Sequence, residues 1–203
     1  MYDDEFELTF DLSDEDEASR APAPEQEPVQ EAAPEPAAET EPPVEAVPEP
    51  AVPAANGRCV LISGGDRGIG AAAARAFWQA GYRVAVLYHT HAEAAAALEK
   101  ALPGLLAVQC DVASRASCEV AFHTVEQAVG HVDVLVSNAG IAQQKLFTDI
   151  TPEEWQHMLD VNLSGAFHLC QLALPGMIRR KAGRILTVSS MWGQTGGSCE
   201  VHY

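Results

Sequence analysis

The stretch "RCVLISGGDRGIGAAAARAFWQAG" (58–81) constrains the fold of this chain more than any other. It reads as an apolar strand (58–63), a glycine turn (64–70) and a helix of strong formers closed by Gly81. Glycines between a first strand and a first helix let backbone N–H groups approach a phosphate at the helix N-terminus. The GxGxxG/A pattern fits only as Gly68-x-Gly70-x-x-Ala73. The spacing Ser63-Gly64-x-x-x-Gly68-x-Gly70 fits better. A ligand-free turn has similar glycines, but strand, turn and helix together favour a dinucleotide site.

The alternation continues downstream. Apolar strands are expected over 82–88, 105–112, 132–140 and 184–190, with helices over 92–102 and 114–129. Thr151-Pro152-Glu153-Glu154 is a capping box with proline at the first helical position, opening a long helical region to Lys181. Continuous apolar strands alternating with helices predict an α/β fold, a doubly wound parallel sheet covered on both faces.

Composition matters at the N-terminus. Residues 1–55 hold 17 of the 29 acidic residues and 10 of the 13 prolines. Such a segment buries too little apolar surface to offset the entropy of ordering it, so a disordered acidic leader is expected. Within "MYDDEFELTFDLSDEDE", apolar Phe6, Leu8, Phe10 and Leu12 alternate with polar, mostly acidic residues. That is either a solvated tail or a short motif that docks on a protein partner. The leader is the opposite of a secretory or transit signal. The body, 56–203, is nearly neutral, which argues against nucleic-acid binding. No apolar run is long enough to span a membrane. Five scattered cysteines point to a reducing, cytoplasmic setting. His89-x-His91 lacks a third ligand and reads as an exposed loop rather than a metal site.

From residue 58 to the end, the chain resembles the short-chain dehydrogenase/reductase family, most closely its 3-oxoacyl-acyl-carrier-protein reductase group. The resemblance implies a Rossmann fold and a nicotinamide cofactor. It assigns Ser63, Gly64, Arg67, Gly68, Ile69 and Gly70 to the cofactor loop. Asp111 and Val112 would seat the adenine, and the turn Asn138-Ala139-Gly140 would form a wall beside the cofactor. The second strand ends Leu87-Tyr88-His89-Thr90, without the carboxylate that favours NAD. In family members that prefer NADP, an arginine at the position of Arg67 faces the 2′-phosphate. NADP(H) is therefore the expected cofactor, and a solvated Arg67 the alternative.

The resemblance also implies the catalytic set. Asn162, within "DVNLSGAF", would perturb its helix and hold a water. Ser190, ending "VSS", would stabilise a developing alkoxide; Ser189 is the candidate one place off. Tyr203, thirteen residues on, would be the general acid. A free phenol has a pKa near 10, and the family lowers it with a lysine four residues later. That position is 207, so the chain reads as C-terminally truncated or as an incomplete reading of a longer enzyme. The expected activity is NADP(H)-dependent reduction of a ketone, by resemblance a 3-oxoacyl thioester on acyl-carrier protein in fatty-acid synthesis. The full-length form would be a homo-oligomer. A second reading is a catalytically incompetent dinucleotide-binding fragment whose acidic leader binds a protein partner.

Overall fold

A computed structural model describes residues 55–203 of the chain. The expected leader, with its docking motif, falls almost wholly outside the described residues.

Strand β1 (Cys59–Ser63) leads into α1 (Gly68–Gln79), followed by β2 (Arg83–Tyr88), α2 (Ala92–Ala101), β3 (Leu106–Gln109), α3 (Arg115–Val129) and β4 (Val134–Ser137). Helices α4 (Pro152–Leu159) and α5 (Gly165–Arg180) precede β5 (Arg184–Thr187) and the short α6 (Trp192–Thr195). The five strands form one parallel sheet in the order β3-β2-β1-β4-β5. The chain reverses its direction of winding between β1 and β4. In open α/β sheets that switch point creates a crevice at the carboxyl ends of the strands.

Every residue of β1 is buried, and its side chains alternate between two cores. Cys59 and Leu61 pack with Phe122 and Val125 of α3 and Leu169 of α5. Val60 and Ile62 pack with Ala74 and Trp78 of α1 and Leu98 of α2. A strand buried on both faces must be apolar throughout, which explains the unbroken run "CVLIS".

The elements differ from expectation mainly at their ends. Helix α1 starts at Gly68, so Gly68 and Gly70 lie in its first turn. Strand β3 stops at Gln109, although Cys110 N still donates to Tyr88 O at 2.8 Å. Beyond it the backbone turns to side-chain partners: Asp111 N donates to Ser117 Oγ, and Asp111 Oδ1 accepts from Ala113 N. The long helical region expected over 151–181 is interrupted by a π-helical turn at Asp160–Ser164. The capping box at Thr151 forms with both reciprocal bonds. Among the described residues, no helix is long and apolar enough to cross a membrane.

Candidate active site

The glycine turn is built by close approach. Gly64 has a left-handed φ of +60°, and a Cβ there would stand 3.0 Å from Ala139 Cα. A Cβ on Gly70 would collide with the carbonyl oxygen of Gly64 and stand 2.7 Å from Asn138 Nδ2. The first turn of α1 thus lies directly on the β1 and β4 turns. Ser63 braces the arrangement: its buried Oγ accepts from the backbone N of both Asn138 and Ala139 at 3.0 Å. Asn138 replies by donating Nδ2 to the carbonyls of Ser63 and Gly64 at 3.0 and 2.9 Å. The Ser63 hydroxyl is therefore turned into the fold.

A cavity of about 510 Å³ opens over this turn. Gly64, Arg67, Gly68 and Ile69 line one side, Asp111 and Val112 another, and Asn138, Ala139 and Gly140 a third. The free amides at the start of α1 and its dipole make this rim attractive to an anion. At the end of β2, Asp66, Arg67 and His91 meet. Arg67 Nη1 lies 3.2 Å from His91 Nε2, and His91 Nδ1 lies 3.8 Å from Asp66 Oδ2.

A second cavity of about 320 Å³ adjoins the first and shares Ile69 and the segment from Asn138 to Ile141 with it. Asn162, Ser189, Ser190 and Tyr203 all line it. Asn162 sits in the π-helical turn, a form of helix found often at functional sites. Its Oδ1 accepts from Ile141 N at 2.8 Å, and its Nδ2 donates to Ile141 O at 2.9 Å. The side chain thus reads the backbone just after the Asn138-Ala139-Gly140 turn. Ser190 Oγ accepts from Trp192 N at 3.3 Å, which leaves its own proton free.

The segment that carries Tyr203 is tied to the segment after β4. Lys145 N donates to Cys199 O at 2.7 Å, and Gln144 Nε2 donates to Glu200 Oε1 at 3.1 Å. Buried His202 pairs through Nε2 with Gln143 Oε1 at 2.9 Å. Gln143 and Lys145 both donate to Glu154, at the start of α4.

Apart from Ser63, each residue expected from the sequence to bind cofactor or act in catalysis lines one of the two cavities, Gly70 excepted, whose role is the close packing just described. Asp66 and His91 also line the first cavity and were not expected there, as do His89 and Thr90, which the sequence placed only at the strand end that governs the choice of cofactor. The signal for Asp66 was its place inside the glycine turn. His91 was weighed only as a metal ligand or an exposed loop residue. Among the described residues, no group of three or more His, Cys, Asp or Glu side chains is placed to hold a metal ion.

Comparison with known proteins gives this geometry a relationship. A family model described as short chain dehydrogenase matches residues 58–203. An acetoacetyl-CoA reductase of Shinella zoogloeoides is 39% identical over 146 residues, 72% of this chain and 60% of that protein. The acetoacetyl-CoA reductase of Rhizobium meliloti (strain 1021) is 40% identical over the same shares. The 3-oxoacyl-[acyl-carrier-protein] reductase MabA of Mycobacterium avium is 40% identical over 144 residues, 70% of this chain and 53% of that protein. The chain thus spans 53% to 60% of the length of these relatives. With the family model matched across every strand of the sheet and both cavities, this chain belongs to the short-chain dehydrogenase family.

Proposed function

We propose that this chain carries the cofactor site and catalytic hydroxyls of an NADP(H)-dependent reductase acting on a 3-oxoacyl thioester in fatty-acid synthesis. The observation that carries the reading is the wall shared by the two cavities. A dinucleotide filling the first would reach the hydroxyls of the second. Family membership implies a nicotinamide dinucleotide, and the residues present fit one. Gly64, Gly65 and Gly70 leave no room for side chains at the turn, and Asp66 Oδ2 is buried without a partner at the cavity. Arg67 at the cavity, and a second strand that ends without a carboxylate, support NADP(H) over NAD.

When bound, the reduced cofactor supplies hydride to the carbonyl carbon. The first amides of α1 hold its diphosphate. Ser190 donates a hydrogen bond to the carbonyl oxygen and stabilises the charge that develops there. Tyr203 gives that oxygen its hydroxyl proton. Asn162 fixes the backbone at Ile141, between the two cavities. The relatives named as acetoacetyl-CoA and 3-oxoacyl-[acyl-carrier-protein] reductases support a 3-oxoacyl thioester as substrate.

The test is NADPH oxidation by the purified chain with acetoacetyl-CoA. Consumption that requires both thioester and protein is expected. NADPH that binds but is not oxidised, with any 3-oxoacyl thioester, would overturn the reductase reading.

A further inference from the structure

Two buried thiols meet at the wall of the first cavity. Cys110 follows the last residue of β3, and Cys118 lies near the start of α3. Their sulfurs stand 4.0 Å apart, in van der Waals contact. Cys110 is 3% exposed and lines the cavity, whereas Cys118 is 0% exposed and lies behind it. Ser117 Oγ donates to Cys110 Sγ at 3.8 Å. Cys118 Sγ also faces the carbonyl oxygen of Val112 at 3.5 Å. The Cys118 thiol donates toward Cys110 and lowers its pKa below the ordinary thiol value; burial opposes this and Ser117 assists. The same contact, with burial, raises Cys118. The thiolate is the reactive form, so chemistry and access both make Cys110 the sulfur that an oxidant meets first.

Hydrogen peroxide is a two-electron oxidant small enough to enter the cavity. The Cys110 thiolate attacks one peroxide oxygen: an S–O bond forms, the O–O bond breaks, and the departing hydroxide takes up the thiol's proton. Cys110 is then a sulfenic acid. The Cys118 sulfur attacks it: the S–S bond forms, the S–O bond breaks, and the hydroxide leaves with the Cys118 proton as water. In sum, two thiols and one hydrogen peroxide give one disulfide and two waters, with two electrons passing from sulfur to oxygen. Disulfide sulfurs stand about 2 Å apart, so the pair must close by about 2 Å. That closure falls on the loop between β3 and α3, which also holds Asp111 and Val112 at the cavity.

We infer that Cys110 and Cys118 are a redox pair, joined as a disulfide by a hydroperoxide that arrives through the first cavity. The bond draws the Cys110 sulfur off the cavity wall and toward α3. It also removes the Cys118 proton that faces the Val112 carbonyl. A molecule filling the cavity shields the pair, so oxidation registers whether the cavity is occupied. The shielding by a dinucleotide rests on the cofactor reading given above; the pair itself does not.

The test treats the full chain with hydrogen peroxide, blocks the remaining thiols with iodoacetamide, and reads tryptic peptides by mass spectrometry. Cleavage after Lys100, Arg115 and Lys145 puts Cys110 in peptide 101–115 and Cys118 in peptide 116–145. The expected product is these two peptides joined, and separated again by dithiothreitol. Cys59 is 0% exposed, is pushed up to about 11 by burial and lines neither cavity, so it should stay reduced. Cys118→Ser should leave Cys110 as a sulfenic acid that dimedone labels, and Cys110→Ser should leave Cys118 reduced. Saturating NADP+, its binding followed by calorimetry, should slow the link several-fold. Peptides 101–115 and 116–145 that stay unlinked in the free chain would overturn the inference. Linking in the free chain without any binding of NADP+ would overturn the cofactor reading and leave the pair standing. NADP+ that binds without slowing the link would overturn the cavity as the oxidant's route.

Discussion

The carboxylate of Glu154 lies 2.7 Å from the ammonium of Lys145, and this contact ties the start of α4 to the segment after β4, which in turn holds the segment that carries Tyr203. Glu154 also closes the capping box through Thr151 N at 2.8 Å and accepts from Gln143. Gln143 and Lys145 in turn hold His202 and the carbonyl of Cys199. One carboxylate thus organises a helix N-terminus and an approach to the second cavity.

That role makes Glu154 sensitive to acid. The hydrogen bond from Lys145, with further ones from Thr151 and Gln143, holds its carboxyl down to about 2 against an ordinary 4.5. A pKa depressed by folding contributes stability that is complete above pH 4.5 and lost as the pH falls toward 2. Glu154→Gln should melt below the wild type at neutral pH, by a small amount because the contact is solvent-screened. The gap should close as the pH falls through that window. Thermal melts at stepped pH check this, and parallel curves for the two proteins would show that Glu154 contributes nothing.

The glycines of the turn should differ sharply when replaced. Gly70→Ala drives a methyl into the Gly64 carbonyl and the Asn138 amide, both rigidly held. It should cost at least about 1–3 kcal/mol. Gly68 has φ +52° but no atom within 4 Å of an added Cβ. Gly68→Ala should cost only the left-handed conformation, about 1–2 kcal/mol. Denaturant unfolding with reversed ordering would contradict the packing described for the first turn of α1.

The sheet was legible in the sequence because two-sided burial forces unbroken apolar runs such as "CVLIS" and "VLVS". The glycine turn was legible because close approach excludes a side chain at Gly64 and Gly70, and a left-handed backbone favours glycine at Gly68. The π-helical turn at Asp160–Ser164 was foreseen only as a perturbation at Asn162 and only through the family resemblance, since no local residue demands an extra residue in the hydrogen-bonded ring. Its cause is tertiary: Asn162 reaches Ile141, twenty-one positions away. The Arg67–His91 and Gln143–His202 contacts were hidden for the same reason. Polar pairs between separate loops leave no periodicity to read.

Asn162 should therefore matter through Ile141. Asn162→Ala leaves both backbone groups of Ile141 without their partners, at about 1–3 kcal/mol if they stay buried. Asn162→Asp keeps the acceptor for Ile141 N and loses the donor to Ile141 O. It should sit between wild type and alanine in denaturant midpoint. Hydrogen exchange at Ile141 N should rise in the alanine variant and remain closer to wild type in the aspartate one. Equal exchange in all three would remove Asn162 as the holder of this backbone.

Two serines follow β5 at the second cavity, and they should not be equivalent. Ser190 Oγ accepts from Trp192 N, which fixes its lone pair and leaves its proton for a ligand oxygen. No such bond orients Ser189. If Ser190 stabilises the oxygen of the reduced carbonyl, Ser190→Ala should lower kcat by about 10²–10³-fold. Ser189→Ala should change it by only a few fold. Tyr203→Phe keeps the ring at the cavity wall and removes the proton it would give, so its loss should fall on kcat and not on KM, by about 10²–10⁴-fold. Steady-state NADPH oxidation with an acetoacetyl thioester measures all three. A larger loss at Ser189 than at Ser190 would move the oxygen site by one residue. Unchanged turnover in Tyr203→Phe would assign the proton to a different donor.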